Sequence, residues 1–120
     1  MMLEMCKAKI HRLTVTETNV NYEGSITLDK ILIDAAGLIA GEKVQIVNIN
    51  NGARFDTYIL CGSSESGIVC LNGAAARLAV AGDIIIVISY GLFDKNEAAN
   101  FIPRIVFVDS KNKIQKKGAS

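Results

Sequence analysis

The run Ile84-Ile85-Ile86-Val87-Ile88 is apolar at every position and is opened by the turn pair Gly82-Asp83. Such a run predicts a central strand buried on both faces, and the rest of the chain must supply its neighbours. Asn51-Gly52 is the strongest short-range hairpin signal in the sequence. It joins an outgoing segment, Lys43 to Ile49, to a returning one, Ala53 to Cys61. Alternation puts Phe55, Thr57, Ile59 and Cys61 on one face of the returning strand and Arg54, Asp56 and Tyr58 on the other. Met5 to Thr16 reads as a first strand, with Lys7, Lys9 and His11 sharing a face. Ile26 to Leu28, Ile68 to Leu71 and Ile102 to Val108 add shorter strands, Pro103 being tolerated only near the start of the last.

Helical signals are short. Asp29 is a suitable N-cap, Ile31, Leu32, Ala35 and Ala36 form an apolar stripe, and Gly37 suits the left-handed position beyond a helix end. Asp94 followed by Glu97 forms a capping-box pattern. Asn72 to Leu78 starts another short helix, and its first N–H groups could meet an anion or a developing oxyanion. An Ala-rich packing turn is the plainer alternative. With no βαβ rhythm, the fold class is mainly β with a few short helices, and a barrel removes the exposed edges that an open sheet of this size would carry.

A chain of 120 residues makes one domain, expected over residues 1–109. Residues 110–120 hold four lysines and no acid, and read as a solvated, disordered tail. Removing those four charges from the total of +1 leaves −3 for the body, a poor surface for nucleic acid. The three cysteines, Cys6, Cys61 and Cys70, lack metal-ligand spacing and read as small hydrophobes, with no metal implied. No apolar run is long enough to span a bilayer and Met1 to Lys9 has no signal-like block, so a cytoplasmic protein without membrane contact is expected.

Asn19-Val20-Asn21 turns the chain into Tyr22-Glu23-Gly24-Ser25, which leads directly into Ile26-Thr27-Leu28. Gly24-Ser25 thus lies between two extended pieces. Alone, Gly-Ser is an ordinary turn pair.

In combination the segments say more. Lys9-Ile10-His11-Arg12, Tyr22-Glu23-Gly24-Ser25, Asp34-Ala35-Ala36-Gly37, Asn51 through Tyr58, Asn72-Gly73-Ala74-Ala75-Ala76 and Gly82-Asp83 occur in this order and spacing. Over about Met5 to Phe107 the chain resembles the aspartate 1-decarboxylases, pyruvoyl-dependent enzymes that convert L-aspartate to β-alanine for pantothenate synthesis. The resemblance implies a double-psi β-barrel assembled as a homotetramer. It also implies self-cleavage between Gly24 and Ser25 into a short chain, 1–24, and a long one, 25–120. No nucleic acid or membrane partner is implied, and a maturation partner is left open.

The implied chemistry is self-consistent. Attack of the Ser25 hydroxyl on the Gly24 carbonyl carbon turns the amide into an ester. Elimination across Cα–Cβ then frees Gly24 as a C-terminus and leaves dehydroalanine, which hydrolyses to a pyruvoyl group derived from Ser25. Gly24 suits an approachable carbonyl and a strained backbone. A ketone at the new N-terminus can form a Schiff base with an amino acid and act as an electron sink.

By the same resemblance, Arg54 grips a substrate carboxylate, for which its planar fork is suited. Lys9 adds positive charge, and the Gly73-Ala74-Ala75 backbone lines the pocket. Thr57 hydrogen-bonds the Gly24 carbonyl during processing, with Asn72 assisting, and Tyr58 protonates the carbanionic intermediate. His11 and Tyr22 support the site. For Arg54 the alternative is a plain surface pair with Asp56 or Glu42. Thr57 and Tyr58 alternate onto opposite faces, so serving one site requires a bulge, a bend or a pocket between subunits. Val47 stands where some relatives have a larger aromatic, which alters a pocket wall. An unprocessed, non-catalytic β-barrel binding module is the competing functional class.

Overall fold

The structure, a computed structural model, describes residues 1–116. Nine strands and short helices follow in order: β1 (Met2–Thr14), β2 (Glu17–Asn19), β3 (Ser25–Asp29), α1 (Lys30–Ala36), β4 (Lys43–Asn48), β5 (Arg54–Gly62), β6 (Val69–Asn72), a 3-10 helix (Gly73–Leu78), β7 (Ile84–Asp94), α2 (Lys95–Asn100), β8 (Arg104–Val108) and β9 (Ile114–Gln115). They form one mixed sheet in the order β2-β6-β3-β5-β4-β7-β1-β8-β9. The mainly β reading is correct. No helix among the described residues is long and apolar enough to cross a membrane.

The apolar run lies at the centre of the sheet, where β7 pairs antiparallel with both β1 and β4. Ile85, Val87 and Ile88 are buried, whereas Ile84 and Ile86 stay half-exposed, so one face of the strand is covered less fully than the expectation of burial on both faces. It also runs six residues past Ile88. Cross-strand pairing from Cys6↔Tyr90 to Met2↔Asp94 carries it on, and the buried Ser89 hydroxyl donates to Glu42 Oε2 at 2.6 Å.

Closure comes from the first strands. Beyond β1, the Val15 N–H donates to Asp83 O and the Thr16 N–H to Val69 O, after which β2 runs parallel to β6. One continuous stretch of chain therefore borders both β7 and β6, the two ends of the order β6-β3-β5-β4-β7, and bends the sheet into a barrel. The double-psi β-barrel implied by the resemblance accords with this closed mixed topology. Ile10, Leu13, Ile26, Leu28, Ile46, Ile59, Leu71 and Ile85 are fully buried inside, each contributing about 1.5–3 kcal/mol of burial free energy.

The short helices form where their caps predict. The Asp29 carboxylate accepts from the Ile31 N–H, Leu32, Ile33 and Ala36 are buried, and Gly37 takes φ 71° beyond the end of α1. Asp94 and Glu97 make the reciprocal capping box of α2.

Two local expectations change. The hairpin loop spans residues 49–53, one residue longer at each end than the expected strands, Lys43 to Ile49 and Ala53 to Cys61, would leave. Its asparagines bridge to neighbouring elements: Asn51 Nδ2 donates to Leu78 O and Asn50 Oδ1 accepts from the Ile84 N–H. The ordered body also extends past residue 109, because β9 pairs with β8. Asn112, 2% exposed, is the reason: its amide donates to Thr14 O and Gly67 O and accepts from the Thr14 N–H. The end of the expected tail, residues 117–120, lies outside the described residues.

Candidate active site

Ser25 opens β3 directly opposite Asn72, the last residue of β6. Both are buried, Ser25 completely. Asn72 Nδ2 donates to Ser25 Oγ and to Thr27 Oγ1, each at 3.0 Å. Asn72 Oδ1 accepts from Cys70 Sγ at 3.2 Å, a thiol whose pKa is pushed up by burial and by the charge of Glu17. Nδ2 thus faces two hydroxyl oxygens as acceptors and Oδ1 faces a thiol as donor, so both ends of the amide are satisfied. The Ser25 hydroxyl donates in turn to Glu23 O at 2.8 Å. The proposed nucleophile therefore has both an acceptor for its proton and a donor for its oxygen.

The glycine constraint falls on Gly73 rather than Gly24. Gly73 has φ 65°, and a Cβ there would lie 2.6 Å from Gly24 Cα and 3.0 Å from Tyr22 O. A Cβ at Gly24 would meet nothing within 4 Å, and Gly24 is not among the glycines with positive φ. Neither its φ nor its surroundings therefore require glycine at position 24. Its approach to Gly73 is what the sequence protects.

Tyr58 joins the cluster through Glu23, an acid to which the resemblance assigns no role. Its hydroxyl donates to Glu23 Oε1 at 2.8 Å. That hydrogen bond, with desolvation and the nearby Glu23 and Tyr22 charges, raises the phenol pKa above its ordinary value. In the β3–β5 register Ile26 aligns with Ile59, both pointing into the core. Alternation then places Ser25 and Tyr58 on the opposite, outward side, and sets Thr57 inward. Thr57 is half-buried and pairs across to Val44. The division of Thr57 and Tyr58 between two faces is therefore real. A cleft of about 420 Å³ beside the cluster is lined by Asn19, Tyr22, Thr27, Leu60, Cys61 and Asn72.

The other expected site residues lie elsewhere on the barrel. Arg54 is exposed, four residues from Tyr58 along β5, about 13 Å at ordinary strand rise. Its Nη1 donates to Gln45 Oε1 at 2.9 Å, which also accepts from the Tyr90 hydroxyl. The surface-pair alternative does not hold for Arg54, since Glu42 pairs with Lys7 and Asp56 with Lys43. Lys9 lies on β1 opposite Ile88, three strand spacings from β5, about 14 Å. His11 packs edge-on to Phe107 with centroids 5.6 Å apart, and burial, Arg12 and Lys9 lower its pKa. Val47, half-buried, is flanked by Arg54 and Ile86. Gly73 and Ala75 are buried while Ala74 is exposed at the start of the 3-10 helix. Within one chain, then, Glu23, Gly24, Ser25, Tyr58, Asn72 and Gly73 converge, and Lys9, His11 and Arg54 stand apart.

Comparison with known proteins agrees with these motifs. A family described as aspartate decarboxylase matches residues 1–115. The aspartate 1-decarboxylase of Parabacteroides distasonis is 63% identical over 110 residues, covering 92% of this chain and 95% of that protein. Those of Acetivibrio thermocellus and Pelotomaculum thermopropionicum are 58% and 57% identical over 114 residues, covering 95% of this chain and 90% and 86% of theirs. With a family match across nearly its whole length and relatives this similar, the chain belongs to the aspartate decarboxylase family.

Proposed function

We propose that this protein cuts its own backbone between Gly24 and Ser25 and then decarboxylates L-aspartate to β-alanine and CO₂ in the cytoplasm. The observation that carries the reading is the Ser25 hydroxyl, fully buried and held between Asn72 Nδ2 and Glu23 O. As Ser25 Oγ gives up its proton, the Asn72 N–H stabilises the developing negative charge without moving. Thr57 supplies a hydroxyl to the Gly24 carbonyl, and the Gly73 backbone keeps that peptide seated.

Position 25 suits a pyruvoyl group because it is buried, has an amide donor beside it and adjoins the cleft bordered by Asn72 and Thr27. Such a group supplies a ketone that takes up the substrate amine and accepts the electron pair left as CO₂ departs. Tyr58 then delivers its O–H proton to the carbon that lost CO₂. Arg54 binds a substrate carboxylate through its fork and Lys9 adds charge that favours a dicarboxylic amino acid. The Gly73-Ala74-Ala75 backbone lines the pocket, with His11 and Tyr22 supporting it. Since Lys9 and Arg54 stand over 10 Å away along the sheet, we assign them to the site of a neighbouring copy in a homotetramer.

Intact-mass spectrometry of the purified protein tests the reading. Wild type is expected as two chains, the longer one starting in a pyruvoyl group, with β-alanine formed from aspartate. Ser25→Ala is expected as one inactive chain. A wild-type chain that stays whole, or a Ser25→Ala protein that is still cut, overturns it.

A further inference from the structure

We infer that Glu23 is the positioning residue for Tyr58: its carboxylate holds the Tyr58 hydroxyl in the uncut chain, and cleavage one residue away frees that hydroxyl for the reaction. The inference rests on the proposed self-cleavage and deepens it. Geometry, connectivity and surroundings support it.

The first is geometric. Tyr58 O–H to Glu23 Oε1 at 2.8 Å is a charge-assisted hydrogen bond, and Tyr58 is at most half-exposed. A phenol committed to a carboxylate is directed away from any other acceptor, so in this state Tyr58 is held rather than ready to donate.

The second is connectivity. Glu23 precedes Gly24 and ends up on the 1–24 chain after the cut, whereas Tyr58 stays on the other. Before the cut, Glu23 is fixed on its C-terminal side, because its carbonyl accepts the Ser25 hydroxyl and Gly24 joins it covalently to β3 at Ser25. Cleavage removes the covalent link from Gly24 to β3 and abolishes the Ser25 hydroxyl. Both anchors of the Glu23 segment on that side are lost together, and the new Gly24 carboxylate adds a like charge next to Glu23.

The third is the surroundings of the phenol. Lys43 lies directly across from Tyr58 on β4 but is paired with Asp56 at 3.6 Å, Tyr22 adjoins Glu23, and the β3 residues level with Tyr58 are uncharged. Glu23 is thus the acid that takes the Tyr58 proton donor. No step in ester formation uses the side chain of Glu23, whose contribution there is its backbone carbonyl.

Tyrosine ring-carbon NMR with pH titration reads the contact without reference to turnover. Tyr22, Tyr58 and Tyr90 are the three tyrosines, and the resonance lost in Tyr58→Phe assigns the signal. In uncleavable Ser25→Ala protein, which gives up the hydroxyl but keeps the covalent link from Gly24 to β3, Tyr58 is expected to titrate above free tyrosine, and Glu23→Gln in that background should bring it down toward about 10. In fully cleaved wild type Tyr58 should titrate below its value in Ser25→Ala. An unchanged titration on Glu23→Gln overturns the contact. An equally raised value in cleaved and uncleaved protein overturns the release. A wild type that intact mass shows to be whole sinks the proposed function and the release with it, while the Ser25→Ala comparison still decides the contact.

Discussion

Gly73 lies so close to Gly24 that a methyl group on the first would sit 2.6 Å from the Cα of the second. Real Cβ atoms do not tolerate such a separation, so the peptide to be cut is seated directly on backbone. Gly73→Ala should therefore displace Gly24 from its place beside Ser25. It also forces alanine into φ 65°, at about 1–2 kcal/mol. The expected outcome is a folded but less stable barrel whose self-cleavage, followed by denaturing gel, is strongly slowed. Wild-type cleavage in this variant would mean that the seat does not matter.

Thr57→Val keeps the shape of a half-buried side chain and removes one hydroxyl. If the Thr57 hydroxyl serves the Gly24 carbonyl as proposed, cleavage should slow by about 10²-fold, the scale for losing a donor to a developing oxyanion. Cleavage kinetics on freshly purified precursor provide the measurement, and an unchanged rate excludes Thr57 from processing.

Arg54→Ala should be cleaved normally and yet fail on aspartate. Its guanidinium makes one hydrogen bond, to Gln45, and no ion pair among the described residues, so its fork is available to a carboxylate. Steady-state assays on the cleaved variant should show kcat/KM for aspartate down by at least about 10²-fold. Near-native kcat/KM would transfer the clamp to another cation, with Lys9 first.

Tyr58→Phe preserves the ring and removes the proton. Self-cleavage should proceed, and β-alanine release should fall by about 10²–10⁴-fold, the usual range for a positioned general acid. Mass spectrometry and product assay on one sample separate the two steps. If the variant stays uncut, Tyr58 belongs to maturation; if it turns over fully, another group supplies the proton.

Asp29 controls an acid-sensitive joint. Burial alone would raise its pKa, but N–H donors from Gly67, Ile31 and Glu65, with Lys113 nearby, lower it overall. A depressed carboxylate pKa stabilises the fold above the unfolded value of about 3.9 and ceases to do so as pH falls through the folded value. In the single-chain Ser25→Ala background, Asp29→Asn should lose about 1–3 kcal/mol at pH 7. Urea titrations should show that difference shrinking at pH 3; a constant difference would remove the charge from the explanation.

Much of this was legible in the sequence, and the omissions have physical reasons. Local signals were reliable where one residue decides the outcome, as at the Asp29 cap, Gly37 and the Asp94–Glu97 box. The mainly β class followed from aliphatic alternation. The extension of β7 to Asp94 was hidden because Tyr90, Gly91 and Leu92 carry no clear pattern and are held by β1, a partner more than 80 positions away. Asn112 shows the same limit: nothing near it in sequence foretells its bonds to Thr14 and Gly67. At the site, Ser25, Asn72 and Gly73 came from a resemblance to known decarboxylases, and the structure brings them together. The bond between Glu23 and Tyr58 crosses 35 positions with no periodic trace.

The strand that closes the barrel has a further consequence once Gly24–Ser25 is cut. Residues 1–24 contain β1 and β2, interleaved with β6, β7 and β8. The short fragment cannot leave without dismantling the sheet, so the cut protein remains whole in its native state while becoming two molecules when unfolded. Its refolding is then a bimolecular reaction, and its melting temperature depends on concentration. The Gly24–Ser25 peptide bond that joined the halves is gone and nothing in the chain can rebuild it. Each molecule therefore folds as one chain only once, and the cut that arms it also ends its ability to refold alone.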